Sequence, residues 1–326
     1  MGEVLPSPLV YVHERSGLTV GSNTRDSAGR RLPRMRRFGD YGYLPYLFIA
    51  PLVVFIVVLS LYPTAMTLIE SFFNVNPLNP PVRFNGLQNY RDVFTNPTVN
   101  FSWVNTAFYV LFGVVLATLL GVGFASALRD NFRGRAIVLA ILILPWALPG
   151  VTEGIIWAWI YNANFGVLNS VLKSLHIISE YQVWLSSNRV ATVFFIEVVQ
   201  VWQMTPLATI LILASLQSVP ADLYDAARVD GANRSRTFFT ITLPLIRPGL
   251  SVAVIEAVIM SLNIFDQVFV LNGGAQTGSS IMLQTYNISF LNLNFGQGYA
   301  LSFIAVLVTM LISVGVLRMI YKKVEY

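Results

Sequence analysis

The sequence lacks several residue types and motifs, and each absence excludes a class of chemistry. It contains no cysteine, which excludes disulfides, thiolate nucleophiles and cysteine-ligated metal or iron–sulfur sites. Its two histidines, His13 and His176, are far apart in sequence, so a histidine-based metal site or catalytic dyad is not expected. It also lacks the G-x-x-x-x-G-K-[ST] pattern of a phosphate-binding loop, so ATP binding by this chain is not predicted.

Charged residues are scarce as well. They make up 11% of the 326 residues, whereas an ordinary soluble domain carries about 25%. Hydrophobic residues make up 55%, and the mean hydropathy is +0.63. This composition predicts a protein that lies in a membrane.

Six long apolar stretches account for most of the hydrophobic residues. A helix needs about 20 predominantly apolar residues to cross the hydrocarbon core of a bilayer. The sequence therefore predicts an all-α polytopic membrane protein with six transmembrane helices, at residues 44–68, 102–128, 136–160, 191–216, 245–263 and 299–320.

Positive charge is distributed unevenly between the connections. All but four of the 21 Lys and Arg residues fall in the N-terminal tail, the second-to-third connection, the fourth-to-fifth connection and the C-terminus. Because Lys and Arg collect on the cytoplasmic side of a membrane, both termini are predicted to be cytoplasmic. The four exceptions are Arg83, Arg91, Lys173 and Arg189. The net charge of +5 is thus a topology signal, and no nucleic-acid partner is predicted.

Residues 1–42 differ in composition from the rest of the chain. They are rich in Gly, Ser, Pro and Arg and have no apolar period, which predicts a disordered basic tail on the cytoplasmic side. Its arginines are expected near the anionic lipid of the inner leaflet, and a plain topology anchor is the simplest interpretation. Residues 43–326 form the predicted membrane domain.

The segment DLYDAARVDGANRSRTFFTITLPLIRP, residues 222–248, is a polar interruption between the fourth and fifth predicted spans. Pro220 and Asp222 are typical of a helix start, and Gly231 is typical of the residue that ends a helix with a positive φ angle. A second short helix is predicted over residues 234–242. A cytoplasmic helix–turn–helix indicates a docking surface with Ala226 and Ala227 as its contact face, or alternatively an amphipathic linker.

Seven positions of this segment form the pattern D-A-A-x3-G-x9-I-x-L-P, namely Asp225, Ala226, Ala227, Gly231, Ile241, Leu243 and Pro244. The pattern resembles the EAA loop of the membrane subunits of ATP-binding-cassette (ABC) importers, with Asp225 where the family usually has Glu. FNGLQNY, ILPWALPGV, FGVLNSVL and FDQVFVLNGGAQTG follow in an order similar to that of the carbohydrate-uptake branch, which includes permeases for maltose and glycerol 3-phosphate.

The resemblance implies the type I ABC importer permease fold, with a coupling loop at about residues 217–248 that docks into a cytoplasmic ATPase. It further implies a second related permease subunit, two ATPase subunits that bind ATP and Mg, and an extracytoplasmic solute-binding protein. This chain is then expected to bind no cofactor or metal of its own, to catalyse no reaction, and to lie in the bacterial cytoplasmic membrane.

Ionisable residues inside predicted spans indicate a solute path, because a charge in the membrane is costly. Glu256, Asn263 and Gln267 recur at i, i+7 and i+11 along one predicted helix. Carboxylates and amides hydrogen-bond sugar hydroxyls, and aromatic faces cover their C–H surface. The predicted path residues are Glu153, Trp157, Glu197, Gln200, Glu256, Asn263, Asp266 and Gln267. The alternative is that these groups only bond one helix to another.

Prolines and glycines in the spans indicate irregular backbone beside the path, which is tolerated where it lines a cavity. Helix breaks are predicted at Pro145, Pro149 and Gly150 in the third span and at Pro206 in the fourth. In an outer loop, Gly273 and Gly274 are expected to present backbone to the binding protein, although a plain turn explains them equally well.

Two other functions compete with the importer subunit. The first is an ion-coupled secondary transporter with Glu153, Glu197 and Glu256 as proton sites. Six spans are too few for most such folds, and this alternative gives residues 222–248 no role. The second is an intramembrane enzyme, which would require a cluster of His, Cys and Asp that the sequence lacks. The solute itself is left open.

Overall fold

The computed structural model describes residues 44–185 and 188–320. Almost all of the secondary structure within these ranges is helical, as the composition predicts. The predicted tail, residues 1–42, lies outside them. The chain divides into two compact units, of which the first ends at Ser60 and the second begins at Leu61.

The first apolar stretch is helical throughout its described length. Helix α1 covers Leu44–Ile56 and continues into a π-helical turn at Val57–Leu61. Helix α2 follows at Tyr62–Glu70, and the stretch Tyr46–Glu70 is long and apolar enough to cross a membrane. The first predicted span is therefore present as a helix.

A short connection that the sequence does not predict in detail leads to the second span. Strands β1 (Phe73–Asn74) and β2 (Arg83–Phe84) pair antiparallel, and helix α3 (Gln88–Thr95) follows them. The buried amide of Asn89 donates hydrogen bonds to the carbonyls of Ser71 and Phe73, at 2.7 and 2.8 Å. This amide fixes α3 against the β hairpin.

Two long helices, α4 (Pro97–Ala127) and α8 (Arg189–Gln217), form the centre of the second unit. Small residues recur every fourth position along the buried face of α4, at Gly113, Ala117, Gly121 and Ala125. A stripe of small residues lets two helix backbones approach closely in a membrane. The stripe thus explains why α4 and α8 pack together along their length.

The third predicted span is sharply bent. Helix α5 (Arg135–Ala147) and helix α6 (Gly150–Ile160) meet at an angle of 101°. Pro149 has an extended backbone at the N-cap of α6, so the break predicted at Pro149 and Gly150 is present. Pro145 lies inside α5, close to its end. Helix α7 (Val167–Ser174) follows in the next connection.

The predicted break at Pro206 is wrong, because α8 continues through this residue for another 11 positions. Proline removes one backbone donor from a helix, but packing against neighbours and side-chain hydrogen bonds can offset that loss. Pro206 is buried between neighbouring helices, so packing offsets the lost donor. The surroundings of α8 therefore override the local preference for a break.

The polar segment and the fifth predicted span form a series of helices. They are α9 (Ala221–Val229), α10 (Arg234–Thr237), a π-helical turn (Phe238–Thr242), α11 (Leu243–Leu245) and α12 (Arg247–Leu262). The stretch Arg234–Leu245 meets α12 at 73°. The rest of the chain forms α13 (Asp266–Asn272), α14 (Ile281–Tyr286), a π-helical turn (Asn287–Leu291) and α15 (Phe295–Ile320).

The number of spans depends on how the bent pairs are counted. Within the described residues, four helical stretches are long and apolar enough to cross a membrane, and each bent pair adds one more span if it is taken as a unit, up to six. The six predicted spans correspond to these four helices and two bent pairs.

Candidate functional site

A polar cavity of about 370 Å³ lies where α8, α12 and α13 meet. Four of the predicted path residues line it, namely Gln200, Asn263, Asp266 and Gln267. Gln203 contributes a further amide, and the rest of the wall comes from Ile259, Met260, Ile264 and Phe265. The cavity thus combines amides, a carboxylate and an aromatic ring, which are the groups that bind a polyhydroxylated solute.

Gln267 connects three helices at this cavity. Its Nε2 donates to the Oε1 of Gln203 on α8 at 2.7 Å and to the Oε2 of Glu153 on α6 at 3.1 Å. Glu153 is fully buried behind Gln267 and contributes no wall to the cavity. Its role in this conformation is to hold Gln267 and not to contact a solute directly.

The bend before α6 creates a close approach that only glycine permits. A Cβ atom on Gly150 would lie 2.5 Å from the Oδ2 of Asp266. The Asp266 carboxylate consequently stands at the N-terminus of α6, where the helix macrodipole favours negative charge. Gly150 and the break at Pro149 therefore position a charged wall of the cavity.

The predicted line of Glu256, Asn263 and Gln267 along one helix is wrong. Helix α12 ends at Leu262, Asn263 is its C-cap, and Gln267 belongs to the separate helix α13. Asn263 and Gln267 still meet at the cavity, whereas Glu256 is half-buried and is not part of its wall. The prediction fails because the helical period of 3.6 residues does not continue from α12 into α13.

Glu197 is buried in the contact between α4, α8 and α12, away from the cavity. Its side chain is 2% exposed, and neither carboxylate oxygen has a hydrogen bond within the described residues. A Cβ atom on Gly113 would lie 2.6 Å from its Oε1 and 2.7 Å from the Oγ of Ser261. The structure therefore does not bring Glu197 to the path predicted for it.

Trp157 lines a different cavity. This second cavity has a volume of about 680 Å³ and an almost entirely apolar wall between α4, α5, α6 and α8. Trp157 packs there against Trp202 with ring centroids 5.5 Å apart, and against Tyr161 at 5.2 Å. Trp157 and Tyr161 share a face of α6, but neither residue lines the polar cavity.

The polar segment has the predicted helix–turn geometry. Gly231 has a φ angle of +71°, and the N–H groups of Gly231 and Ala232 donate to the carbonyls of Arg228 and Ala227, at 3.1 and 2.9 Å. This pair of bonds is a Schellman motif, which satisfies the last carbonyls of a helix. Asn233 then caps α10 by accepting from the backbone N–H of Arg236.

The contact face expected on α9 requires correction. Ala226 is exposed, but Ala227 is only 5% exposed and faces the chain's own helices. The exposed apolar side chains of α9 are instead Leu223, Ala226 and Val229, three positions apart on one face, with Val229 88% exposed. Asp225 is also exposed, and accepts a hydrogen bond from Arg228 at 2.9 Å.

The other residues of the seven-residue pattern belong to the stretch that enters α12. Ile241 lies in the π-helical turn, and Leu243 and Pro244 lie in α11. All three are half-buried. They therefore lie against the membrane helices and not on the exposed face of α9.

Tyr224 connects α9 to two other parts of the chain. The sequence patterns do not identify this residue. The guanidinium carbon of Arg129, just beyond α4, lies 3.8 Å from its ring centroid. Its hydroxyl is 3.2 Å from the Oγ1 of Thr242, at the start of the stretch that leads into α12. Arg129 and Tyr224 are 95 positions apart, so only the fold brings them together.

The outer loop predicted to contact a binding protein forms a turn after α13. Gly273 and Gly274 have φ angles of +58° and +77°, and no atom lies within 4 Å of a Cβ placed on either. Open space and left-handed backbone explain why glycine occupies both positions. The same open space leaves their backbone accessible.

Residues 113–326 match the family model described as "Binding-protein-dependent transport system inner membrane component". The chain is 35% identical over 260 residues to the trehalose/maltose transport system permease protein MalF of Thermococcus litoralis, covering 79% of this chain and 87% of the relative. It is 33% identical over 301 residues to the sulfoquinovosyl glycerol transport system permease protein SmoG of Agrobacterium fabrum, covering 90% and 96%.

The fold is similar to that of a solved transporter. A chain of a bacterial alginate ABC transporter, solved in complex with an alginate pentasaccharide-bound periplasmic protein, superposes with a TM-score of 0.74. The match covers 87% of this chain and 96% of that chain, at 18% identity. The two chains therefore share a fold.

Proposed function

This chain is a member of the family of inner membrane components of binding-protein-dependent transport systems, and on that premise we propose that it is the permease subunit of an ATP-driven ABC importer for a sugar or oligosaccharide. The transport functions of two relatives, for trehalose/maltose and for sulfoquinovosyl glycerol, support this class of solute. A second, related permease subunit completes the translocation path.

The exposed face of α9 is the main support for the proposed coupling to an ATPase. A helix of nine residues, ended by a Schellman motif at Gly231, presents Leu223, Ala226 and Val229 outward. Exposed apolar side chains on a short amphipathic helix suit insertion into an apolar groove of another protein. We assign that groove to a cytoplasmic ATPase subunit, with two copies in the complete transporter.

That assignment gives each subunit of the transporter a separate role. The two ATPase subunits bind ATP and Mg and catalyse hydrolysis, and this chain catalyses no reaction. A solute-binding protein outside the bacterial cytoplasmic membrane delivers the solute to the outer loops, including Gly273 and Gly274. Residues 222–248 transmit closure of the ATPases to the membrane helices.

The polar cavity is the part of the chain best suited to contact the solute. Asn263, Asp266, Gln200 and Gln267 line it, and they offer donors and acceptors for sugar hydroxyls. Glu153 orients Gln267 through the 3.1 Å hydrogen bond. An ion-coupled secondary transporter is not favoured, because it gives α9 no role and the family is one of binding-protein-dependent systems.

The docking proposal is tested by Val229→Asp, which places a charge on the exposed apolar face of α9. Val82→Asp is the matched control, because Val82 is also exposed, at 61%, but lies in a predicted outer loop. With the chain purified together with its partner subunits, Val229→Asp should reduce the ATPase that co-purifies by about tenfold, the loss expected from a charge buried in an apolar groove.

Val82→Asp should leave the recovery of the ATPase unchanged. Equal recovery of the ATPase with Val229→Asp and with the unaltered chain would contradict the proposed docking face. Uptake that needs no ATPase subunit would contradict the importer as a whole.

A further inference from the structure

A third cavity, of about 370 Å³, lies at the opposite end of α4 and α8 from the polar segment. Its wall comes from the start of α4, the start of α8 and the loop after α13, namely Pro97, Thr98, Phe101, Arg189, Gln276 and Thr277. It shares no residue with the polar cavity. The residues of this third cavity are therefore separate from those of the proposed solute path.

Arg189 is held rigidly in this wall. Its Nε donates to the Oδ1 of the buried Asn105 at 2.8 Å, and its guanidinium carbon lies 4.1 Å from the ring centroid of Phe101. Asn105 is fixed in turn, because its Nδ2 donates to the carbonyls of Thr277 and Ser279, at 3.2 and 2.9 Å. The plane and position of the guanidinium are thus set by three separate elements.

The charge of Arg189 has no acidic partner within the described residues. The ion pair found there joins Arg228 and Asp225, at the other end of the molecule. No hydrogen bond between described residues uses the two Nη atoms of Arg189. Arg189 is also the first residue of a 29-residue helix with no acidic residue in its first turn, and a cation at a helix N-terminus is disfavoured by the macrodipole.

The arrangement differs from that of the other basic residues in the predicted outer loops. Arg83, Arg91 and Lys173 are exposed, whereas Arg189 is half-buried. A half-buried, pre-oriented guanidinium, with Nη donors that bond no described residue, matches the planar, two-oxygen geometry of a carboxylate. Gln276 fixes the opposite wall to α4, because its Nε2 donates to the carbonyl of Thr98 at 3.0 Å and to the Oγ of Ser102 at 3.3 Å.

We propose that this cavity is a docking pocket in which Arg189 binds an Asp or Glu side chain of the solute-binding protein. The proposal rests on the proposed function and on the predicted orientation. Gln276 and Thr277 belong to the same turn as Gly273 and Gly274, so the pocket is continuous with the backbone expected to face that protein. Electrostatic complementarity of this kind fixes the register of two partners.

The experiment uses the complete transporter, reconstituted in phosphatidylcholine nanodiscs, and titrates solute-loaded binding protein while ATPase activity is measured. Arg189→Gln should raise the half-saturating concentration of binding protein about tenfold, as for loss of one charge-assisted bidentate contact. The maximal rate should stay unchanged. Arg91→Gln is the matched control, because Arg91 is an exposed outer-loop arginine, and it should behave like the unaltered chain.

A second arm tests the same contact from the partner's side and does not depend on how Arg189→Gln folds. Acidic residues on the surface of the binding protein are changed to Lys one at a time. One such change should raise the half-saturating concentration with the unaltered transporter and have no further effect with Arg189→Gln.

Four results would overturn the proposal. Equal half-saturation for Arg189→Gln and the unaltered chain, or no effect of any acidic change on the binding protein, would rule out the pocket alone. An effect of Arg189→Gln that appears only in nanodiscs with anionic lipid would assign the pocket to a lipid phosphate. A transporter that the binding protein does not stimulate at all would overturn the proposed function as well.

Discussion

At the scale of single residues, the polar cavity depends on how one amide is shared. Gln267 donates to acceptors on α6 and α8 at the same time, and the other carboxyl oxygen of Glu153, Oε1, has no hydrogen bond within the described residues. A buried polar group that loses its partner costs about 1–3 kcal/mol. Gln267 therefore lines the cavity and also holds α6 and α8 together beside it.

Asn263 is the cavity residue best suited to a functional test. It is exposed and lines the cavity, and its Nδ2 donates to the carbonyl of Ile259 at 2.8 Å, which leaves its Oδ1 to accept from a solute. Asn263→Ala removes one hydrogen bond to a solute hydroxyl, worth about 1 kcal/mol or roughly a fivefold change. The half-saturating solute concentration for uptake should rise by that factor, with assembly of the complex unchanged.

Asn131→Ala is the control for this prediction, because Asn131 is an exposed asparagine in the connection between α4 and α5. It should leave uptake as it is. An Asn263→Ala transporter that takes up solute with unaltered half-saturation would remove Asn263 from the path.

At the scale of elements, α9 is connected to the rest of the chain through few side chains. Ala227 packs inward, and Tyr224 bridges Arg129 beyond α4 and Thr242 before α12. Arg135, at the start of α5, donates from its Nε to the carbonyl of Leu128 at 2.7 Å. These contacts connect α9 to the end of α4 and to the stretch before α12, and the end of α4 in turn to α5.

Tyr224→Ala should uncouple ATP hydrolysis from uptake without releasing the ATPase, because Tyr224 lies on the inward side of α9. A partly buried cation–π contact is worth about 1 kcal/mol, so the number of solutes moved per ATP should fall roughly fivefold. Tyr224→Phe keeps the ring on Arg129 and loses only the contact with Thr242, so its loss should be smaller. The measurement is uptake and hydrolysis in the same reconstituted sample.

The matched control is Tyr181→Ala, since Tyr181 also carries a cation over its ring, Lys173 at 5.4 Å, but lies in a predicted outer loop. It should leave the ratio of uptake to hydrolysis unaltered. A Tyr224→Ala transporter with an ordinary ratio would show that α9 acts through other contacts.

Sequence patterns predicted the long elements well and the junctions poorly. The fourth span was expected at residues 191–216 and is observed as Arg189–Gln217, because its apolar period is long and bounded by polar residues. The helix end at Gly231 was predicted because positive φ strongly selects glycine. The break before Asp266 was missed, since Asn263 and Gln267 also fit an unbroken helical period.

At the scale of the whole molecule, one bend and one helix junction decide where polar groups meet. The 101° bend between α5 and α6 turns Glu153 towards α13, and the junction after α12 brings Asn263 and Asp266 to the same cavity. Sequence spacing alone could not predict which polar residues meet at the cavity. It assigns residues to a helix face but does not show which neighbouring helix that face contacts. Glu197 illustrates the limit, since packing against Gly113 and Ser261 hides it.

In the proposed importer, ATP hydrolysis by separate subunits drives solute through this chain. The most direct measurement is uptake of labelled maltose, trehalose and sulfoquinovosyl glycerol into proteoliposomes that contain the complete transporter, with binding protein outside. We expect uptake of at least one of these solutes that requires ATP and the binding protein and persists when a protonophore removes the proton gradient. Uptake that proceeds without ATP and collapses with the protonophore would contradict it.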